Sequence, residues 1–229
     1  MNTYILQIDT ATAVCSVSIS NNGVVLECID AQEPNMHASM LTVFIEQLLE
    51  RVSLSYQDLS AIAVSKGPGS YTGLRIGVST AKGLCYALDI PLISVNTLQS
   101  MFWGYKKDNR NTKGVFIPML DARRMEVYLM AFNEQGEVLR PTQAVIMDEH
   151  SFEHYGGQNI VLFGSGAAKL KDLFKDQPEI RIDEDFEHSS SSLSFAAYRN
   201  FVNQHFEDLI YFEPYYLKEF IATTPKAKL

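Results

Sequence analysis

The chain has 229 residues, 46% of them apolar, and a formal charge of −8 from 19 basic and 27 acidic side chains. That length fills one large domain or two small ones, and the acidic balance argues against a protein that grips nucleic acid by itself, since clustered Lys and Arg supply most phosphate binding. Cys15, Cys28 and Cys85 lie far apart with no C-x-x-C, which fits neither a disulfide framework nor a zinc site and points to the reducing cytoplasm. No apolar run approaches the ~20 residues that span a bilayer, and Asp9 interrupts the stretch where a signal peptide would be continuously apolar, so a soluble, unsecreted protein is expected.

Tyr4 to Ile8, Val14 to Ile19 and Val24 to Ile29 read as three successive strands, the last two joined by the hairpin signal Asn21-Asn22-Gly23. Met40, Leu41, Phe44, Ile45, Leu48 and Leu49 recur at helical spacing, which predicts an amphipathic helix from His37 to Arg51. A strand at Ala61 to Ser65, a helix from Thr72 to Leu88, a strand at Leu92 to Val95 and a helix opened by Asn96-Thr97 complete an order β-β-β-α-β-α-β-α. After the polar stretch 106–113 a similar order begins again: Val115 to Leu120, Glu126 to Phe132 and Val138 to Ile146 as strands, a helix over Asp148 to Tyr155, and a strand at Ile160 to Phe163. A helix from Ala167 to Phe174, a weak strand at Ile180 to Ile182 and a helix from Ser192 to Phe206 follow, with a frayed tail at Ile221 to Leu229. Two β-β-β-α-β-α halves, 1–105 and 106–229, predict a duplicated actin-like α/β fold related to ribonuclease H.

The segment from Ala61 to Gly77 joins a buried-strand pattern to a glycine-rich turn and then to a helix. Gly67 and Gly69 flank Pro68, and Thr72 or Ser70 can cap the helix. Gly73, Gly77 and Ala81 recur every fourth residue, a nearly bare row down one face. Each interior glycine costs roughly 1 kcal/mol against alanine, so something must need the backbone exposed, and close contact with another helix is one candidate. The turn matches neither G-x-x-x-x-G-K nor G-x-G-x-x-G, so it is no phosphate cradle of those kinds.

Asp9-Thr10-Ala11-Thr12, between the first two strands, stands where an actin-like ATPase places an aspartate beside metal-bound phosphate; a plain hydrogen-bonded turn explains the same residues. Asp9, Thr10 and Thr12 are therefore candidate nucleotide contacts, together with Gly164 and Gly166, which follow a strand and open a predicted helix. Asp121, Arg123, Arg124 and Glu126 place four charges where two strands meet, a pattern suited to an ion-pair network or to anion capture. His37 lacks a second histidine four residues on, since Leu41 fills that position and continues the apolar stripe, so no metal site is expected. Ser79 and Lys82 match the S-x-x-K pattern without the accompanying motifs of serine acyl enzymes.

Residues 8–12, the run from Lys66 to Gly77, Ser94-Val95-Asn96-Thr97-Leu98, the run from Asp121 to Tyr128, and Pro214-Tyr215-Tyr216-Leu217-Lys218, in this order over nearly the whole chain, resemble the TsaB (YeaZ) family. Lys218 stands where that family often has Arg, and Tyr71 where Phe is common. The resemblance implies a member of the ASKHA superfamily, grouped with glycoproteases, that forms threonylcarbamoyladenosine in tRNA as a non-catalytic partner of the TsaD transferase. It further implies a TsaE ATPase as third component, a homodimer when alone, tRNA reached indirectly through the complex, and no cofactor in this chain beyond ATP or ADP in the assembly. The helices His37 to Arg51 and Thr72 to Leu88 would form the partner surface, with Met40, Phe44, Gly73, Ile76, Gly77, Thr80, Ala81 and Leu84 at its centre. The competing readings are an ATP-binding phosphotransferase of the same fold, using Asp9 and the Gly164 loop, and a peptidase.

Overall fold

A computed structural model describes residues 2–32 and 36–218, so the tail expected at 221–229 lies outside the described residues. Strands β1 (Tyr4–Asp9), β2 (Cys15–Asn21) and β3 (Val24–Ala31) form an antiparallel meander, α1 (Met36–Arg51) follows, and β4 (Leu59–Gly67) returns parallel to β1. Helix α2 (Tyr71–Leu88), β5 (Leu92–Asn96) and α3 (Thr97–Asp108) complete the first half. The second half runs β6 (Val115–Asp121), β7 (Glu126–Phe132), β8 (Val138–Ile146), β9 (Ile160–Phe163), β10 (Ile180–Asp183) and α4 (Ser194–Val202). The two five-stranded sheets have the orders β3-β2-β1-β4-β5 and β8-β7-β6-β9-β10, the same topology twice over. The fold is thus the expected duplicated actin-like one.

Two predicted helices of the second half are absent. Asp148 to Tyr155 forms only a 3-10 turn at Glu153–Tyr155, and Ala167 to Phe174 only one at Ala168–Leu170. Hydrogen bonds such as Leu170 N to Ala167 O and Lys171 N to Ala168 O close after three residues. Pieces this short cannot repay helix nucleation on their own, and burial of Phe152, Leu170 and Phe174 on the sheet holds them as turns. The last helix also contracts, to Ser194–Val202 behind a 3-10 turn at Ser190–Leu193.

The cores do not divide where the chain halves meet. Helices α1 and α2 cover one face of the first sheet, where Leu6, Ile8, Val17, Ile62 and Val64 meet Leu41, Ile45 and Val78. Its other face is covered by α4 and the 3-10 turn before it, through Leu193, Ala196 and Ala197 on Ile5, Ala61 and Ala63. Helix α3, from the first half, packs Leu98, Met101 and Phe102 on Phe116, Phe132 and Val161 of the second sheet. A boundary between residues 105 and 106 therefore cuts through shared packing.

Candidate functional site

Strand alternation decides where the polar residues go. In β1, Leu6 and Ile8 point to α1 and α2, so Ile5, Gln7 and Asp9 point to the opposite face, beneath α4. In β2, Cys15, Val17 and Ile19 take the first face and Ser16, Ser18 and Ser20 the second; in β4, Ser65 continues the row of Ala61 and Ala63. This face is buried yet polar. Gln7 is satisfied there by Ser20 Oγ, to which its Nε2 donates at 2.6 Å, and by Ser18 Oγ at 3.0 Å.

Asp9, 1% exposed, sits at the end of that row. Its Oδ2 accepts from Ser65 Oγ at 2.6 Å and lies 2.6 Å from His188 Nε2, while Oδ1 accepts from Ala11 N at 2.9 Å. Burial works to raise the Asp9 carboxyl, but the His188 charge and the hydrogen bonds from His188, Ser65 and Ala11 outweigh it, leaving it below the ordinary aspartate value. Ser190 is fixed beside it, its N–H donating to Ser16 Oγ at 2.7 Å, and Ser16 in turn bonds Asp30. Together these contacts bolt the 188–193 segment to the first sheet. Among the described residues His188 Nδ1 has no partner, and Ser65 bonds the carboxylate rather than the imidazole, so the group is not arranged as a nucleophile-base pair.

The glycine-rich segment is used up in the same place. A Cβ on Gly69 would overlap Ala11, and one on Gly73 or Gly77 would overlap Thr10. Ser70 N donates to Ala11 O at 2.7 Å, Thr10 Oγ1 donates to Gly73 O at 2.7 Å, and Ser70 Oγ caps α2 by accepting from Gly73 N. Gly73 and Gly77 are therefore buried against Thr10 and Ile8 of their own chain and Ala81 lies in the core, so the bare row is not a docking face, which corrects its placement at a partner surface. Phe44 is also buried in the core, whereas Met40, Ile76, Thr80 and Leu84 are only half-buried along the two helices. Gly83 of α2 faces open space: a Cβ there would meet none of the described residues beyond its own stretch of helix within 4 Å.

These contacts test the fit of a metal-bound phosphate at Asp9. Both carboxylate oxygens are held by protein donors, the turn is closed by the glycine loop, and the residues do not fit that group. Nor does a helix open after Gly164: a Cβ on Gly164 would overlap Met119 and Met101, one on Gly166 would overlap Leu120, and only three residues of 3-10 turn follow. Among the described residues no group of three or more His, Cys, Asp or Glu could hold a metal ion. His37 Nε2 lies 3.0 Å from Thr12 O, and Leu41 is 1% exposed in the core. Lys82 Nζ donates to Ile210 O and Phe212 O, not to Ser79.

At the matching end of the second sheet, Lys169 Nζ bonds Asp121 and Glu126 O, and Lys218 bonds Glu126. Burial raises the Asp121 carboxyl, but Lys169 and the Arg123 N–H prevail and hold it low. Glu126 is thus part of an ion-pair network, while among the described residues the exposed Arg123 and Arg124 side chains form no ion pair, Arg123 acting on Asp121 only through its charge and its backbone N–H.

The sequence reading missed His188, Ser16, Ser65, Asp30 and Ser190. The signal lay in the serines at every second position of β2 facing a run of four serines after His188.

A family model described as TsaD, tRNA N6-adenosine threonylcarbamoyltransferase, matches residues 29–228. The tRNA threonylcarbamoyladenosine biosynthesis protein TsaB of Escherichia coli (strain K12) is 32% identical over 178 residues, 75% of each chain. A Pseudomonas aeruginosa structure described as similar to peptidase YEAZ superposes with a TM-score of 0.78 at 24% identity, over 94% of this chain and 100% of that one. An activator of 2-hydroxyisocaproyl-CoA dehydratase from Clostridium difficile, solved with ADPNP, reaches a TM-score of 0.52 at 11% identity over 91% and 99%. No described helix is long and apolar enough to cross a membrane.

Proposed function

Because the chain belongs to the TsaB family, a branch of the threonylcarbamoyltransferase group, we propose that it serves tRNA threonylcarbamoyladenosine biosynthesis as a partner and activator of the TsaD transferase rather than as the transferase itself. The observation that carries this reading is the filling of the Asp9 end of the first sheet by the chain's own His188, Ser65 and glycine loop, which removes the position where an actin-like enzyme handles phosphate. ATP or ADP in the assembly then belongs with the partners, TsaD or a TsaE-type ATPase. The docking surface is the outward ridge of α1 and α2, where Met40, Ile76, Thr80 and Leu84 are half-buried and Gly83 leaves room for close approach. The same ridge serves a homodimer when the partner is missing.

Reconstitution tests the reading. Purified TsaD of the same organism, tRNA, ATP and the threonylcarbamoyl donor system are assayed with and without this chain. Modification that depends on the chain supports the proposal; modification unaffected by it, or Mg-dependent ATP turnover by the chain alone, overturns it.

A further inference from the structure

The protein is acidic overall, with −8 formal charge, yet one edge gathers cations and tyrosines. Residues 215–218 carry the chain from the glycine loop to the β6–β7 turn: Tyr215 N donates to Lys66 O at 2.7 Å, the Tyr216 ring lies 4.9 Å from that of Tyr71, and Lys218 reaches Glu126 and lies 5.8 Å from the Tyr128 ring. Arg75 extends the edge on the α2 side, its guanidinium 5.5 Å from the Tyr71 ring centre and its Nη1 donating to Tyr71 Oη at 3.2 Å. The carboxyl ends of β4 and β6 are thereby joined by a short piece of chain, and carboxyl ends of strands are where open α/β sheets meet their ligands.

At the far end of this edge, Arg123 and Arg124 both adopt the left-handed region, with φ of 73° and 52°. Glycine or asparagine ordinarily takes such positions, because a larger side chain there is strained. Both are exposed, and among the described residues neither guanidinium forms an ion pair or hydrogen bond, while the nearby Lys169 and Lys218 are committed to Asp121 and Glu126. Two exposed arginines held in an unfavourable backbone, with Arg123 linked to Asp121 only through its charge and its backbone N–H, leave both guanidinium forks open to a group outside the chain.

We infer that this edge binds RNA directly, with Arg123 and Arg124 on backbone phosphates at one end and the Tyr71–Tyr216 pair available to unstacked bases at the other. Planar guanidinium forks match phosphate oxygens, and exposed tyrosines interleaved with cations are the equipment of single-strand recognition. Tyr215 and Tyr216 are 40% and 38% exposed. Arg75, Arg123 and Arg124 are exposed, and the acidic remainder of the chain repels a polyanion from other faces. The inference rests on the proposed role in tRNA modification and replaces an indirect contact with tRNA by a direct one.

The test uses the full chain assembled with TsaD and an unmodified tRNA transcript. Arg123→Asn/Arg124→Gly supplies the residues the turn conformation favours; Arg123→Lys/Arg124→Lys keeps the charge. The Asn/Gly variant is expected to melt higher, by roughly 3–8 °C, and to co-elute with TsaD unchanged. It is also expected to bind tRNA at least about tenfold more weakly, with a slope of log K on log salt shallower by about 2. The Lys pair should keep most of the salt slope. Wild-type tRNA affinity and slope in the Asn/Gly variant overturn the inference, as does a loss confined to ATP binding or to co-elution with TsaD. If the wild-type chain stimulates modification and the variant does so equally with equal affinity, only this inference falls. If the wild-type chain has no effect on modification, the functional reading falls and takes it along.

Discussion

Replacing His188 by alanine removes the imidazole whose Nε2 lies 2.6 Å from a carboxylate that is 1% exposed. Stripping one member from a buried ion pair ordinarily costs about 3–5 kcal/mol, because the other charge stays behind without compensation. Here Asp9 keeps two of its donors, Ser65 Oγ at 2.6 Å and Ala11 N at 2.9 Å, so the lower end, about 3 kcal/mol, is expected. For a chain of 229 residues that corresponds to a fall in Tm of about 6–12 °C.

Thermal unfolding followed by circular dichroism, repeated from pH 7 to pH 2, checks both size and cause. The folded-state Asp9 carboxyl lies below its ordinary value of 3.8, so its contribution is present in full above the unfolded value and is lost as pH falls through the folded one. Without His188 the burial that opposes ionisation prevails, and Asp9 takes up its proton at higher pH. The gap in Tm between wild type and variant is therefore widest near neutrality and closes toward pH 2. A variant melting within 2 °C of wild type at pH 7, or a gap that stays constant across the acid range, would refute the argument that this pair locks the 188–193 segment to the first sheet.

Gly73→Ala should cost at least about 2 kcal/mol, since its Cβ must displace Thr10 O, whereas Gly83→Ala should stabilise by about 0.5–1 kcal/mol as an ordinary helix glycine in open space; chemical denaturation of both tests the contrast. Thr80→Arg, at a half-buried position of the α2 ridge, should leave Tm within about 2 °C and abolish co-elution with TsaD; unchanged co-elution would exclude that ridge as the contact. Lys82→Met removes the donor to Ile210 O and Phe212 O and should raise amide exchange across 206–213 while leaving β1 and β4 protected.

The first half of the fold was legible because each element carries its own period: α1 is found at Met36–Arg51 and α2 at Tyr71–Leu88, one residue from the limits that spacing predicts. In the second half, Phe152, Leu170 and Phe174 have helical spacing but sit in turns, and only the sheet beneath them explains why. The glycine row taught a sharper lesson. Its spacing announced that backbone must come close to something, but periodicity identifies the residues sharing a face and is silent on what that face meets. It meets Thr10, 63 positions away from Gly73. Asp9 likewise stood out, while His188, 179 positions distant, could not be linked to it by any local pattern.

The duplication makes the two sheet ends comparable, and their difference carries the functional argument. Both present the carboxyl end of a central strand and an adjoining hairpin turn, at Asp9 and at Asp121. At the first, both Asp9 carboxylate oxygens are bound inward, by a serine, a histidine and a backbone N–H, with a glycine loop pressed onto the turn. At the second, the carboxylates are neutralised by Lys169 and Lys218, and the strained turn holds two guanidiniums out to solvent. A closed end on one sheet and a cationic turn on the other support the proposed role of a partner subunit over that of a nucleotide-handling enzyme. Under the proposals made above, the α1–α2 ridge faces a protein partner and the Arg123–Arg124 turn faces a polyanion.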